Sequence, residues 1–381
     1  MSLFLFVFFL LYTLMHVYAF SRARAALSFG ITAGLLLAFF MLLMIATPIL
    51  VRALERAGLE APARAAAYIG YTWLGLLFLF SSYSICIDVY RAALYAAGYL
   101  AHKDSSAFMP SARAVFLVPF LLSVTTSVYG YFEALDIRPE RIVIQTAKLP
   151  AGIDRLRIVQ ISDVHLGLIV RQERLKRIMD IVKAAKPDVF VSTGDLVDGD
   201  VYEMDGLSDL LREVNPRFGK YAVTGNHEFF AGIGQATLFI EKSGFRLLRG
   251  ERVEGTINVA GVDDPAGRSL GLGRPVDEKE LLSELPRDTF TLFLKHRPLV
   301  DPEAKGLFDL QLSGHVHKGQ IFPFTVLTWL YYPVLSGLAD EGNHSFLYVS
   351  RGTGTWGPPI RFLAPPEVTV IDVVRAGSPA S

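Results

Sequence analysis

Five short stretches of the chain carry side chains able to bind metal or move protons. They are Asp163-Val164-His165, Asp195 and Asp198 in Gly-Asp-Leu-Val-Asp, Asn226-His227-Glu228, a single His296 followed by Arg297, and His315-Val316-His317-Lys318. The protein has only eight histidines. Five of them fall in these stretches, leaving His16, His102 and His344 elsewhere. Asp163, Asp195, Asn226, His165, His296, His315 and His317 offer more donors than one tetrahedral ion accepts, so the set suits two ions. Oxygen and imidazole donors without thiolate favour manganese, iron, zinc or nickel over calcium or magnesium. Two such ions about 3.5–4 Å apart can clamp a phosphoryl group while a bridging hydroxide attacks phosphorus in line. Taken singly, an Asp-Val-His, a His before Arg-Pro or a Gly-Asp pair is commonly a turn or a satisfied core side chain. Their joint placement is what argues for a site.

That placement follows from the elements on either side. Residues 156–162, 188–194, 219–225, 289–295 and 307–314 are apolar runs, the first two rich in β-branched residues, that read as strands, and each ends at one of the five stretches. Between the first two, residues 171–188 space Leu175, Ile178, Ile181 and Val182 as an amphipathic helix closed by a proline, giving a β-α-β unit. Residues i and i+2 of an extended segment face the same way, so Asp163 with His165, and His315 with His317, are expected to project together. Ligands in α/β sheets sit beyond the carboxyl ends of strands, and the five loops should converge on one edge.

The first third of the chain has a different texture. Hydrophobic residues make up 51% of the protein, and apolar runs at about 3–20, 27–51, 66–87 and 114–132 are each long enough to cross a hydrocarbon core of roughly 20 residues per helix. The first run lacks a basic start and a small-residue cleavage site, so a retained anchor is expected: four transmembrane helices in a multi-pass protein of an inner or plasma membrane. Tyr68, Tyr71, Trp73, Tyr129 and Tyr131 are placed like interfacial belts. Asp88 and Arg91 either pair or mark the headgroup level, the second being the simpler reading, and His16 reads as a packed polar side chain. Counting Lys and Arg in the short loops gives five on one side and six on the side of the later domain, a lean of one toward a cytoplasmic site.

Lys and Arg balance Asp and Glu at 37 each, and no basic patch invites nucleic acid. The single cysteine, Cys86, excludes an intrachain disulfide. The expected organisation is a transmembrane domain over 1–133, a linker over 134–150, a globular domain over 151–375 and a disordered tail over 376–381. The aromatic segment 321–337, directly after the last histidine pair, is either an interfacial loop admitting acyl chains or a core strand pair, with the core preferred.

In order and context, the five stretches resemble the motifs of the calcineurin-like metallophosphoesterases, and the segment 350–373 with Gly-His-Val-His-Lys-Gly-Gln is similar to their membrane-associated bacterial branch. The resemblance covers about residues 150–375. It implies a four-layer α/β/β/α sandwich and a dimetal phosphoester hydrolase acting as a phosphodiesterase, phosphomonoesterase or pyrophosphatase. It also implies ligand roles: Asp163, His165, Asp195 and His317 for the first ion, and Asp195 as bridge with Asn226, His296 and His315 for the second. His227 would face the phosphate as acid or charge stabiliser, with Glu228 or Asp198 orienting its neighbours. Branch members often carry Gly at the position of Lys318 and Asn or His at that of Arg297, so both are candidate extra phosphate contacts. Four spans in front of the site raise a lipid-linked or nucleotide-lipid substrate drawn from the bilayer. The competing reading is a catalytically silent membrane scaffold or sensor that has kept the fold; a missing ligand would be its sign, and none is missing.

Overall fold

A computed structural model describes residues 2–199 and 206–377, so residues 378–381 of the expected tail lie outside the described residues. The chain divides into two compact units, Met1–Phe132 with Gly357–Phe362, and Glu133–Trp356 with Leu363–Ser381.

The first unit is helical: α1 Ser2–Leu27, α2 Ile31–Arg56, α3 Glu60–Ala101 and α4 Ala112–Leu135, the last ending just inside the second unit. All four are long and apolar enough to cross a membrane. Their packed centre is small, built on Tyr12, Ala19, Met41, Leu77 and Phe80, while Leu35, Phe39, Ile49 and Leu121 point outward. Apolar side chains directed away from a thin core are what a lipid solvent permits. His16 is packed, as the sequence suggested. Its Nδ1 donates to the Tyr12 carbonyl at 2.7 Å and its Nε2 accepts from Trp73 Nε1 at 2.9 Å, which turns Trp73 inward rather than into a belt. Asp88 corrects the simpler reading above. It accepts from the Tyr18 hydroxyl at 2.7 Å, pairs with Arg22 and lies 3.3 Å from Arg91, because an apolar surround rewards a charge that finds partners.

Among the described residues, the second unit holds twelve strands and seven α-helices. In chain order they are β1 Arg138–Thr146, β2 Arg155–Ile161, α5 Gln172–Ala185, β3 Val189–Ser192, α6 Leu207–Arg212, β4 Lys220–Ala222, α7 Asn226–Ala231, α8 Ile233–Lys242 and β5 Arg246–Leu247. There follow β6 Glu251–Val253, β7 Asn258–Gly261, α9 Pro265–Ser269, α10 Glu278–Ser283, β8 Thr291–Leu294, β9 Leu310–Ser313, α11 Phe324–Trp329, β10 Gly337–Asp340, β11 Phe346–Val349 and β12 Glu367–Arg375. Two six-stranded sheets result, ordered β1-β12-β2-β3-β4-β5 and β10-β11-β9-β8-β7-β6. β2 to β5 run parallel, as do β7, β8, β9 and β11, with antiparallel joins at β12–β2, β10–β11 and β6–β7.

Alternation along the strands sorts the core into layers. Ile158, Val189, Val191, Val259, Leu292, Leu310 and Ile371 meet between the sheets. Their neighbours Val159, Ile161, Phe190 and Val370 face outward onto Leu175, Ile178 and Val182 of α5 and onto Phe239 and Ile240 of α8. On the far side Ala260 and Phe293 pack against Leu281 and Leu282 of α10. The order is helix, sheet, sheet, helix: the four-layer sandwich. Each wholly buried aliphatic side chain contributes about 1.5–3 kcal/mol, so these layers form a stiff frame.

Two expectations change. Residues 134–150 are not a free linker. β1 pairs along nine residues with β12, from Arg138↔Glu367 to Thr146↔Arg375, since alternation in Arg-Ile-Val-Ile satisfies a strand as readily as a tether. Nor is 321–337 a core strand pair. α11 buries none of its residues, leaving Trp329 58% and Leu330 72% exposed, and Tyr332 turns in.

Candidate metal centre

Five strands deliver the side chains: β2 leads to Asp163 and His165, β3 to Asp195 and Asp198, β4 to Asn226 and His227, β8 to His296, and β9 to His315 and His317. The edge on which they meet is shared by both sheets. The way they point differs from the extended-strand expectation. Asp163, His165, Asp195, His315 and His317 have φ of 52°, 53°, 51°, 71° and 46°, in the left-handed region that non-glycine residues rarely enter. Val316, between the two histidines, is right-handed at φ −84°, ψ −14°. Left-handed turns, rather than straight strands, aim each pair, and at His315-Val316-His317 the handedness alternates residue by residue. Such conformations cost of order 1–3 kcal/mol each and cluster at functional sites.

Two glycines let these loops close. A Cβ on Gly225 would collide with the Asp195 carboxylate, and one on Gly314 would collide with the Ser162 hydroxyl and the Asp163 carboxylate. The motif glycines are therefore places where two of the donor-bearing loops touch.

The donors fall into three groups that could hold a metal ion: Asp163 with His165 and His317, Asp195 with His296 and His315, and His165 with Asp195 and His227. In the first, His317 Nε2 is 3.3 Å from Asp163 Oδ1 and 3.1 Å from His165 Nε2. In the second, His296 Nε2 is 3.2 Å from Asp195 Oδ2 and 3.1 Å from His315 Nδ1. Donors about 2.1 Å from a tetrahedral ion stand about 3.4 Å apart, so these spacings fit a cation better than direct pairing of two imidazoles. Asp195 Oδ2 is also 3.9 Å from His165 Nε2, which sets this carboxylate between the first two groups. Asn226 Oδ1 is buried with no hydrogen-bond partner among the described residues, a cost an oxygen escapes by ligating an ion.

The electrostatics also call for positive charge. Burial pushes the Asp163 and Asp195 carboxyls up, yet His317 beside the first and His296 and His227 beside the second outweigh it and hold both well below the usual range. Burial lowers His296, but Asp195 raises it further, to about 10. His315, desolvated and beside His296, is pushed down to about 3. It is an open lone pair, the form a metal needs.

The surrounding shell fixes orientation. His296 Nδ1 donates to the Thr193 carbonyl at 2.8 Å, turning Nε2 toward Asp195. Glu228 accepts from the backbone N–H groups of Asp195, Leu196, Val197 and Gly225 at 2.6–3.2 Å, tying the end of β3 to the start of α7; burial and Asp195 push its carboxyl up. Asp198 Oδ1 lies 2.5 Å from His227 Nδ1. Burial opposes a charge on His227, but Asp195 and Asp198 prevail and hold it at about 9.

The two added cations separate. Arg297 is engaged by Asp264, at 2.8 and 3.0 Å from its two carboxylate oxygens, so its charge is already spoken for. Lys318 sits at φ 51° in the loop after His317, and its carbonyl accepts from the Thr325 hydroxyl at 3.0 Å. Asp264 went unnoticed in the sequence because an Asp before Pro signals a helix cap, which it also is, accepting from Ala266 N at 2.8 Å. Trp356 and Phe230 were likewise missed: neither carries metal chemistry, and only the fold brings them to His227; Gln320, bonded to the Trp356 backbone, was missed with them. His344 is remote from the centre in sequence, in a left-handed turn at φ 62°.

A model of the calcineurin-like phosphoesterase family matches residues 156–319, spanning every stretch assembled above. An uncharacterized metallophosphoesterase of Aquifex aeolicus (strain VF5) is 39% identical over 261 residues, covering 68% of this chain and 99% of the relative. The chain belongs to the calcineurin-like metallophosphoesterase family and is a metal-dependent phosphoester hydrolase. Similarity extends beyond the catalytic unit. The transmembrane protein with metallophosphoesterase domain of Danio rerio is 32% identical over 332 residues, covering 80% of this chain and 74% of the relative. The uncharacterized metallophosphoesterase YkuE of Bacillus subtilis (strain 168) is 36% identical over 261 residues, covering 64% and 88%.

Proposed function

We propose a membrane-anchored dimetal phosphoester hydrolase in which Asp163, His165 and His317 hold one cation, Asn226, His296 and His315 hold a second, and Asp195 bridges them. The observation carrying this reading is the position of Asp195 Oδ2, 3.9 Å from His165 of one donor group and 3.2 Å from His296 of the other. When bound, two such cations, from manganese, iron, zinc or nickel, supply charge neutralisation at the phosphoryl oxygens and acidify a water for in-line attack. The chain's own part is to orient and to donate. His227, held by Asp198 at Nδ1, keeps a proton for the leaving oxygen, and Glu228 sets the backbone on which Asp195 and His227 stand.

The substrate is proposed to be lipid-linked. α11 begins four residues after Gln320 and exposes Phe324, Val326, Leu327, Trp329 and Leu330, a composition suited to the headgroup region of a bilayer. In a folded Trp329→Ser/Leu330→Ser variant, activity on a lipid phosphodiester in vesicles should fall at least about tenfold, the equivalent of about two buried methylenes at roughly 0.8 kcal/mol each, while a soluble chromogenic ester is cleaved as before. Activity in that variant unchanged from the wild type on both substrates would remove the lipid reading.

The catalytic unit is proposed to face the cytoplasm. The loop count of Lys and Arg, six on the side of the catalytic unit against five on the other, supports this side. Protease added to sealed right-side-out spheroplasts should spare the domain; its digestion there would reverse the assignment.

A further inference from the structure

The rings of Phe230 and Trp356 flank His227, with centroids 5.8 and 5.9 Å from the imidazole at interplanar angles of 71° and 73°. Both are large aromatics left 48% and 47% exposed beside otherwise buried catalytic loops. Phe230 follows His227 by three residues on α7, which places it on the same helix face.

Trp356 is held by the ligand loops themselves. Its N–H donates to Gln320 Oε1 and its carbonyl accepts from Gln320 Nε2, both at 2.9 Å, and Gln320 is buried three residues after His317. Upstream, Thr353 N–H donates to the Ser162 carbonyl at 2.7 Å and Gly354 N–H to that of Asp163 at 2.9 Å. A side chain placed for surface packing alone would not require both metal-donor loops to fix its backbone.

We infer that Phe230 and Trp356 form a leaving-group subsite for an apolar group, aryl or alkyl, on the ester oxygen that His227 protonates. The inference rests on the role given to His227 above. During hydrolysis the water oxygen bonds to phosphorus as the ester P–O bond breaks. The bond's electron pair goes to the leaving oxygen, which takes the His227 proton, and a proton from the attacking water replaces it. The departing alcohol is released against the two rings. Gln320 is a positioning residue that acts through Trp356.

The test uses the full chain in detergent, loaded with Mn²⁺, and two substrate pairs: phenyl against 1-naphthyl phosphate, whose leaving groups are similarly acidic, and butyl against decyl phosphate. The readout in each pair is the ratio of kcat/KM for the larger ester to that for the smaller. Trp356→Ala and Phe230→Ala should lower the ratio about fivefold each, the scale of one aromatic contact. Trp356→Phe should retain most of it, and Gln320→Leu should lower it with bound metal unchanged. A fall confined to the aryl or the alkyl pair identifies which apolar group the subsite takes. Unchanged ratios for both pairs in folded, metal-loaded Trp356→Ala and Phe230→Ala proteins would overturn the subsite and leave the hydrolase reading intact. A wild-type protein inactive on all four esters would exclude monoester hydrolysis and leave the hydrolase reading to the phosphodiester assay. Calorimetric binding of 1-naphthyl against phenyl phosphate then still reads the subsite: a preference lost in Trp356→Ala supports it, and no preference sinks it.

Discussion

Backbone strain is concentrated where the chemistry is. Asp163, His165, Asp195, His315 and His317, five of the thirteen non-glycine residues at positive φ among the described residues, are proposed donors, so the chain gives up stability at each to aim it. Glycine adopts this region freely and alanine does not. Without metal, the His317→Gly protein should be about 1 kcal/mol more stable than His317→Ala, visible as a higher thermal midpoint in detergent, although the two lose the same imidazole. Equal midpoints would mean the loop relaxes and is not held in its left-handed turn. At this scale the sequence was highly informative about identity and less so about geometry. Histidine scarcity and the position of each donor after an apolar run exposed the set. The aiming device was hidden, because Asp-Val-His in an extended strand and in a left-handed turn are written with the same letters. Arg297 was legible as a cation, but its partner Asp264 was not.

The elements divide into those periodicity announces and those only the tertiary structure decides. β2, α5 and β3 were readable from alternating and helical spacing: α5 buries Leu175, Ile178 and Val182 as expected, while Ile181 is only partly buried and Met179, not named from the sequence, is buried in full. β1 and α11 were not. A strand at the edge of a sheet resembles a tether until its partner, here β12, paired from Arg138↔Glu367 to Thr146↔Arg375, is known. An aromatic run resembles a core strand until its burial is known. Between elements, Glu228 is the joint: four N–H groups from the end of β3 and the start of α7 converge on its carboxylate. Glu228→Gln, which keeps the shape but turns one acceptor into a donor facing N–H groups, should cost about 1–3 kcal/mol of stability. It should also reduce activity by about 10- to 100-fold, as changes behind a metal site do, measured as kcat/KM on a chromogenic ester with metal content followed in parallel. Wild-type kinetics in that variant would show that the joint plays no part in holding the site.

For the whole molecule, four spans and a two-sheet catalytic unit are joined with almost no intervening chain: α4 ends at Leu135 and β1 begins at Arg138. The layers were legible as a family pattern once the five stretches were assembled. The assignment of Gly357–Phe362 to the helical unit was not, because nothing in Gly-Pro-Pro-Ile-Arg-Phe marks it as other than a loop. The central claim is that one carboxylate, Asp195, serves two cations in a phosphoester hydrolase, and metal-dependent turnover tests it most directly. Purified full-length protein is stripped with chelator, reloaded with Mn²⁺ and assayed on a chromogenic phosphodiester beside Asp195→Ala, with bound metal counted in each. The account predicts no turnover without metal and recovery with about two ions per chain. It also predicts loss of at least about 100-fold in Asp195→Ala together with most of its metal. Cleavage by the stripped protein, or a metal-loaded Asp195→Ala chain turning over like the wild type, would contradict it.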